Sequence, residues 1–163
     1  MALKADRYEE STDISFFSST TGVKGQVVCL DAAALAGASG AALDQGENTV
    51  SPQAAATTDI PVGILLNDVV NKDLTRTHLN QYKDEVQKGG KVTVLTRGWV
   101  VTDQVTGTPK AGDVAYASET SGKIAVVAAD ADASGNLAIG RFMSRKDGDG
   151  YAKVYVNLPN HGK

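Results

Sequence analysis

The sequence predicts an all-β (mainly β) protein, folded as a compact small β-barrel or β-sandwich with an extended N-terminal arm and at most one short helix. Apolar runs with the two-residue period of a strand recur along the chain, separated by Gly, Pro and Asp. A turn with two Asp-Gly steps, residues 146–150, precedes the last run and indicates a hairpin. A series of roughly seven to nine short strands is typical of a small barrel or sandwich.

The length of 163 residues indicates a single domain. A chain of this size buries roughly 70 % of the surface that it exposes when unfolded, so neither a disulfide nor a metal is needed for folding. We expect a flexible N-terminal arm at 1–22, one β-rich domain at 23–159 with an inserted segment at 71–88, and a tail at 160–163. The single cysteine, Cys29, lies in an apolar run and is expected to be buried and unreactive.

The net charge of −3 arises from a balanced mixture of signs. Without a Lys/Arg stripe the chain is not expected to bind nucleic acid. No apolar run approaches the ~20 residues that cross a bilayer, so no membrane segment is expected. Residues 1–20 lack the apolar core of a signal peptide, which predicts synthesis in a cytoplasm without export by a leader.

The first 22 residues are polar apart from a few side chains and fit neither the helical nor the strand period. One interpretation is an arm that becomes ordered only on a partner, because chain termini are ordered only when they are tied down. The alternative is that Ile14, Phe16 and Phe17 begin the first strand.

The next elements are predicted from apolar runs and their breaks. Residues 25–31 form a strand. Residues 32–42 form a loop or a frayed single turn, because Gly37 and Gly40 disfavour a helix. Residues 49–55 form a short strand weakened by Pro52. Residues 59–70 form a long strand with an apolar face made by Ile60, Val62, Ile64 and Leu66.

Residues 71–88 allow two interpretations. A thin helical stripe is formed by Leu74, His78, Leu79, Tyr82 and Val86. The other residues of this segment are mostly charged or carry amides. An extended insertion that reaches toward a partner is the second interpretation.

Residues 91–102 form a second long predicted strand. Its two faces carry Val92 and Val94 on one side and Thr93, Leu95 and Arg97 on the other. Gly98 lies where a bulge or tight bend is expected. Trp99, the only tryptophan, is the largest apolar side chain available to anchor a core.

In the C-terminal third of the chain, strands are predicted from residue 113 and at 122–128, 137–145 and 151–158. A turn is predicted at 130–136. The last strand alternates cleanly. Its predicted inward side chains are Ala152, Val154, Val156 and Leu158, and its predicted outward side chains are Tyr151, Lys153, Tyr155 and Asn157.

No catalytic, cofactor-binding or metal-binding constellation emerges, so the chain is not expected to be an enzyme. Residues 130–135 match the first half of an EF-hand loop, but position 12 is Arg141 rather than the required Glu. Asp147 and Asp149 are explained by turn chemistry. His78 and His161 lie far apart, and no Cys/His spacing suits zinc.

A family resemblance rests on several strand motifs: Pro61-Val-Gly-Ile-Leu, then Lys91-Val-Thr-Val-Leu-Thr-Arg-Gly-Trp-Val-Val, then Pro109-Lys-Ala-Gly-Asp-Val-Ala-Tyr, with Ser121-Gly-Lys-Ile and Ala138-Ile-Gly-Arg-Phe. With them the chain from Gly22 to Leu158 resembles the small head-decoration (capsid cement) proteins of tailed bacteriophages. The motifs are structural rather than catalytic.

The resemblance implies a structural virion protein that binds the outer surface of the mature capsid. There it would stabilise the shell at junctions between major capsid protein subunits, often as a homotrimer. The expected partner is therefore the major capsid protein, and the expected location is the capsid exterior. The arm and the 71–88 segment would supply contacts with the capsid or a neighbouring protomer, through Arg7, Tyr8, Phe16, Phe17, His78 and Tyr82.

The alternative function is a receptor- or glycan-binding β module on a virion surface. This alternative requires an exposed aromatic platform. Clustering of Tyr151 and Tyr155 with Tyr116 on one exposed face would favour it.

Overall fold

The computed structural model describes residues 2–30, 48–52, 60–71, 84–118, 121–126 and 138–158. Within these ranges there are twelve strands and no helix. The predicted all-β class is confirmed.

The strands are short except for β8, which has nine residues. Their bounds are β1 Tyr8–Asp13, β2 Phe17–Ser18, β3 Val27–Leu30, β4 Thr49–Ser51, β5 Pro61–Leu65, β6 Asp68–Val70, β7 Glu85–Gln87, β8 Val94–Thr102, β9 Val114–Ala117, β10 Ile124–Ala125, β11 Ala138–Phe142 and β12 Ala152–Asn157.

Ten of these strands form one large sheet, in the order β10-β9-β11-β12-β8-β5-β3-β4-β2, and β1 pairs with β8 beside this path. The other two, β6 and β7, pair with each other in parallel. Among the described residues the two ends of the large sheet are not paired with each other. The sheet is therefore open, and the predicted barrel is not closed.

Strand β8 joins the two halves of the large sheet. Its C-terminal part, Arg97–Thr102, pairs with β12, and its first two residues pair with β5. Strand β1 pairs along β8 from Val94 to Trp99. The strand predicted at residues 91–102 is thus the one with which three other strands pair.

Apolar side chains are buried in two clusters that share strands β3, β5 and β8. Val27, Ile64 and Leu95 belong to the larger cluster, which continues under β9, β11 and β12. Val28 and Leu65, which alternate with them in sequence, belong to the smaller cluster. Because both sides of β3 and β5 are covered, the sequences of these two strands are continuous apolar runs instead of alternating ones.

The predicted strand over residues 59–70 is divided in two. After β5 the chain turns at Leu66 and Asn67, and β6 leaves the large sheet to pair with β7. The expected single apolar face is also broken, since Val62 packs against the smaller cluster whereas Ile64 lies in the larger one. A register shift in the β3–β5 pairing accounts for this change of side.

The segment at 71–88 is described only at its two ends. Its C-terminal end is a strand, β7, so Val86 does not belong to a helix there. His78 and Tyr82 lie outside the described residues, as do the predicted loop at 32–42 and the predicted turn at 130–136.

The described part of the N-terminal segment lies along the sheet. Leu3 is buried in the larger cluster, and the carbonyl of Ala2 accepts hydrogen bonds from the Thr102 hydroxyl and the Asp103 amide. Strand β1 itself is almost wholly exposed. Backbone pairing with β8 requires no apolar side chains, so the polar composition of this segment did not indicate a strand.

The C-terminal hairpin follows the prediction. Ala152, Val154 and Val156 are fully buried, while Lys153 and Tyr155 between them are not. In the turn, the Asp147 carboxylate accepts backbone N–H bonds from Asp149 and Tyr151.

The same carboxylate ties the hairpin to the N-terminal segment and provides a pH-dependent test of this contact. The Lys4 ammonium donates a hydrogen bond of 2.8 Å to Asp147 and lies 4.2 Å from the centre of the Tyr151 ring. The hydrogen bond from Lys4, followed by that from the Tyr151 amide, lowers the pKa of Asp147. A lowered pKa stabilises the fold above the pKa of the unfolded carboxyl, about 4, and this stabilisation is lost as the pH falls through the folded value.

Asp147→Asn is therefore expected to reduce the free energy of unfolding slightly at pH 7, and to differ less from the parent protein below about pH 4. Urea unfolding at pH 7, 5 and 3 measures this difference. Lys4→Met should cause a similar loss at pH 7, and the double variant should lose less than the sum of the two. A difference independent of pH would show that the contact does not form in solution.

Candidate functional site

The outward side of β11, β12, β8 and β1 is the most chemically distinctive surface of the described residues. The strand register places its side chains in rows across the sheet, because residues opposite each other in an antiparallel pair project to the same side. We call this surface the outer face; it consists of Tyr8, Glu10, Arg97, Trp99, Val101, Arg141, Met143, Lys153, Tyr155 and Asn157.

A row of aromatic side chains crosses the centre of the outer face. Tyr8 is opposite Trp99, and Trp99 is opposite Tyr155. The expectation that Trp99 anchors a core is wrong: Trp99 is only half-buried, whereas its neighbours Gly98 and Val100 are buried. Gly98 has a positive φ, and the pairing of β1 with β8 contains register shifts close to it. The irregularity that the sequence predicted at Gly98 is therefore present.

The tryptophan ring is covered on one side by a cation. The Lys153 ammonium lies 3.3 Å from the centre of the Trp99 ring, within the range of a cation–π interaction. Such contacts are worth about 0.5–1 kcal/mol at exposed sites. Lys153 and Trp99 are thereby held in one arrangement on neighbouring strands.

A second contact connects three strands of the outer face. The Glu10 carboxylate pairs with Arg97 at 3.1 Å and accepts a hydrogen bond of 3.4 Å from the Tyr155 hydroxyl. The pKa of Arg97 is raised, chiefly by its hydrogen bond with Tyr155 and then by the charge of Glu10. The guanidinium stays fully charged, and β1, β8 and β12 present one connected polar group beside the aromatic row.

The outer face is both cationic and partly apolar. It carries Arg97, Arg141 and Lys153 but one carboxylate, Glu10, on a chain whose net charge is −3. Tyr8 is 55 % exposed and Met143 is 56 % exposed, and both are among the few large apolar side chains that the described residues expose. Exposed aromatic and apolar side chains among charges are characteristic of binding surfaces.

The predicted contact residues on the N-terminal segment fall into two separate groups. Tyr8 lies on the outer face, and Arg7 pairs with Glu9 at 2.6 Å. At the other end of β1, Phe16 packs against the smaller apolar cluster, and Phe17 is half-buried in β2 with the Lys91 ammonium near its ring. The structure brings Tyr8 together with Trp99 and Tyr155 but not with the two phenylalanines.

Sequence reasoning missed the combination of residues on the outer face, although it identified part of it. The alternation of the last strand placed Lys153 and Tyr155 outward, and β8 had the same signal at Arg97. What the sequence did not show was the register that sets Tyr155 beside Trp99 and Tyr8. Clustering of Tyr151 and Tyr155 with Tyr116 would favour the glycan-binding alternative, but β11 lies between Tyr116 on β9 and Tyr155 on β12.

The described residues contain no group of three or more His, Cys, Asp or Glu side chains that could hold a metal ion. In the same ranges no helix has the length and apolar character needed to cross a membrane. Cys29 is buried, as the sequence predicted. Arg141, which replaces the last ligand of the partial calcium motif, is exposed on the outer face.

An all-β chain that presents an ordered surface of aromatic and charged side chains is typical of structural and interaction proteins. The family model of the XM1 gp53 minor capsid protein matches residues 13–156, which is most of the 163-residue chain. The protein therefore belongs to this phage capsid protein family. No curated protein matches the sequence.

As a member of this family, the protein has a structural role in the virion and associates with the capsid. A structural capsid family also suggests a non-enzymatic role. The resemblance to phage head proteins in the strand motifs is confirmed at this level.

Proposed function

We propose that the protein binds the outer surface of the mature phage capsid and stabilises the shell at junctions between major capsid protein subunits. The observation that carries the proposal is the family match over residues 13–156, which makes the chain a capsid protein. A protein that binds the expanded shell better than other states stabilises it by mass action. Repetition over equivalent capsid sites lets modest individual interfaces add up to a large effect.

Two structural features support a binding role for the described part of the chain. The outer face is ordered by cross-strand contacts before any partner arrives. The N-terminal segment, which in the decoration proteins commonly contacts the shell, carries Tyr8 on this same face. We propose that the protein binds the major capsid protein as a trimer on the outside of the shell.

The test is co-sedimentation of the full-length protein with expanded and unexpanded shells of the parent phage. We expect saturable binding to the expanded shell and little binding to the unexpanded one. The full chain is needed because removal of residues 1–22 would delete Leu3 from the larger cluster and so destabilise the fold.

Substitutions test the contribution of the N-terminal segment without deleting it. Tyr8→Ala is expected to weaken binding to the expanded shell. Ile14→Ala is the matched control, since Ile14 is an equally exposed apolar side chain on the same segment, outside the predicted contact set. If the parent protein binds neither shell, the decoration function is refuted.

A further inference from the structure

We infer that the outer face is the surface with which this protein binds its capsid partner, and that it recognises a carboxylate-rich surface on that partner. This inference rests on the proposed function and adds to it the docking surface and the chemistry of the partner. It is carried by the juxtaposition of Tyr8, Trp99 and Tyr155 with Arg141 and Lys153 across four neighbouring strands.

The residue types on the outer face are those that contribute most to protein interfaces. Trp, Tyr and Arg are enriched among the side chains that supply most of the binding energy, and they act best when they lie at the centre of a contact. Trp99 and Tyr155 lie at the centre of the outer face, and Tyr8 and Arg141 lie on the strands at either side. A partner that covers this row would bury apolar surface now exposed on Tyr8 and Met143.

The outer face is also preorganised. Lys153 is stacked on Trp99, and Glu10 holds Arg97 and Tyr155. Side chains that are already fixed lose little conformational entropy when a partner binds, whereas ordering a free side chain costs about 0.5–1.5 kcal/mol. The face is therefore better suited to tight binding than a surface of isolated lysines.

The sign of the charge identifies the partner's chemistry. Among the ten residues of the outer face, three are cations and one is an anion, while the whole chain has a net charge of −3. An acidic partner surface would be attracted to this face and repelled by the more acidic remainder of the molecule, which fixes the orientation of docking. Arg141 donates one hydrogen bond, to the Gly112 carbonyl, and a guanidinium has further donors for a carboxylate.

The experiment compares charge reversals in the co-sedimentation assay with expanded shells. Arg141→Glu and Lys153→Glu, singly and together, place negative charges on the outer face. Lys123→Glu is the matched control for the single reversals, with the same change of charge directly before β10, on the far side of β9. Lys123 lies near a second cation, Lys146, so its reversal is not expected to disturb the fold.

We expect the double reversal to weaken shell binding by roughly tenfold or more, because like charges across an interface are strongly unfavourable. The control should bind as the parent protein does. Binding of the parent protein should weaken from 50 to 500 mM NaCl, and the double variant should respond less to salt. Urea unfolding of each variant, followed by Trp99 fluorescence, verifies that the variants are folded.

The outcomes separate the inference from the proposed function. If the parent protein binds the expanded shell and the folded double variant binds equally well, the outer face is not the docking surface, while the decoration function stands. If the parent protein binds no shell, both fail. If neutral oligosaccharides such as dextran or chitin oligomers change Trp99 fluorescence while shells do not bind, the face is a glycan-binding platform and the inference is overturned.

Discussion

Replacing Phe142 by alanine is expected to lower the free energy of unfolding by about 3–5 kcal/mol, the usual range for truncating a large buried aromatic side chain. Phe142 is fully buried in the larger cluster and is the largest completely buried side chain in the part of the chain that the structure describes. It lies at the end of β11, opposite Val154, and its amide donates to the Asp113 carbonyl. The cavity would thus open where β9, β11 and β12 meet.

Urea unfolding measures this loss as a shift of the midpoint at an unchanged slope. Phe142→Leu should lose much less, because it conserves most of the volume. Met143→Ala is the neighbouring control, and it should change stability by no more than about 0.5 kcal/mol because Met143 is exposed. A loss for Phe142→Ala no larger than that of the control would place the ring outside the core.

Replacing Gly98 by alanine is expected to detach β1 from β8. Gly98 has φ +138°, a conformation that side-chain-bearing residues rarely adopt, and a Cβ atom there would overlap the backbone carbonyl oxygen of Tyr8. The backbone strain alone costs about 1–3 kcal/mol. Because β1 is exposed along its length, it can move away from β8, and the Glu10–Arg97 ion pair would be lost with it.

Hydrogen exchange of the amides of residues 8–13 distinguishes this result from general destabilisation. We expect these amides to lose protection in Gly98→Ala while the amides of β12 stay protected. Gly148→Ala is the control, since a Cβ atom there meets nothing within 4 Å. Full protection of β1 in Gly98→Ala would mean that the bend at Gly98 tolerates a side chain.

The Gly98 variant also bears on capsid binding, since Tyr8 and Glu10 leave the outer face when β1 detaches. If the outer face binds the shell, Gly98→Ala should bind more weakly although it retains Trp99, Arg141 and Lys153. The same variant therefore connects the predicted bend in β8 to the proposed function.

The sequence determined the strands whose signal is local. The alternation of Ala152, Val154 and Val156, the Asp-Gly turn before them and the bend at Gly98 all depend on neighbouring residues, and all three are present. The apolar runs of β3 and β5 were likewise recognisable. Such patterns indicate which side chains of a strand are buried, and they can be recognised without knowing which strand lies beside it.

The tertiary structure decided the features that depend on pairing between distant segments. Residues 8–13 form a strand because the exposed edge of β8 supplies hydrogen-bond partners, which no property of a polar sequence reveals. Trp99 is half-buried because it lies between the buried residues Gly98 and Val100 on a strand whose side chains alternate in direction. The strong apolar character of its ring had suggested a place in the core.

The outer face illustrates the physical reason for this division. Each strand's sequence fixes which of its side chains point outward, but the register between strands fixes which of them become neighbours. Tyr8, Trp99 and Tyr155 are separated by more than fifty residues from one to the next, and only the pairing of β1 and β12 with β8 brings them into one row. Short-range alternation therefore determined which side chains the surface contains. Long-range hydrogen bonding between strands determined how these side chains are arranged.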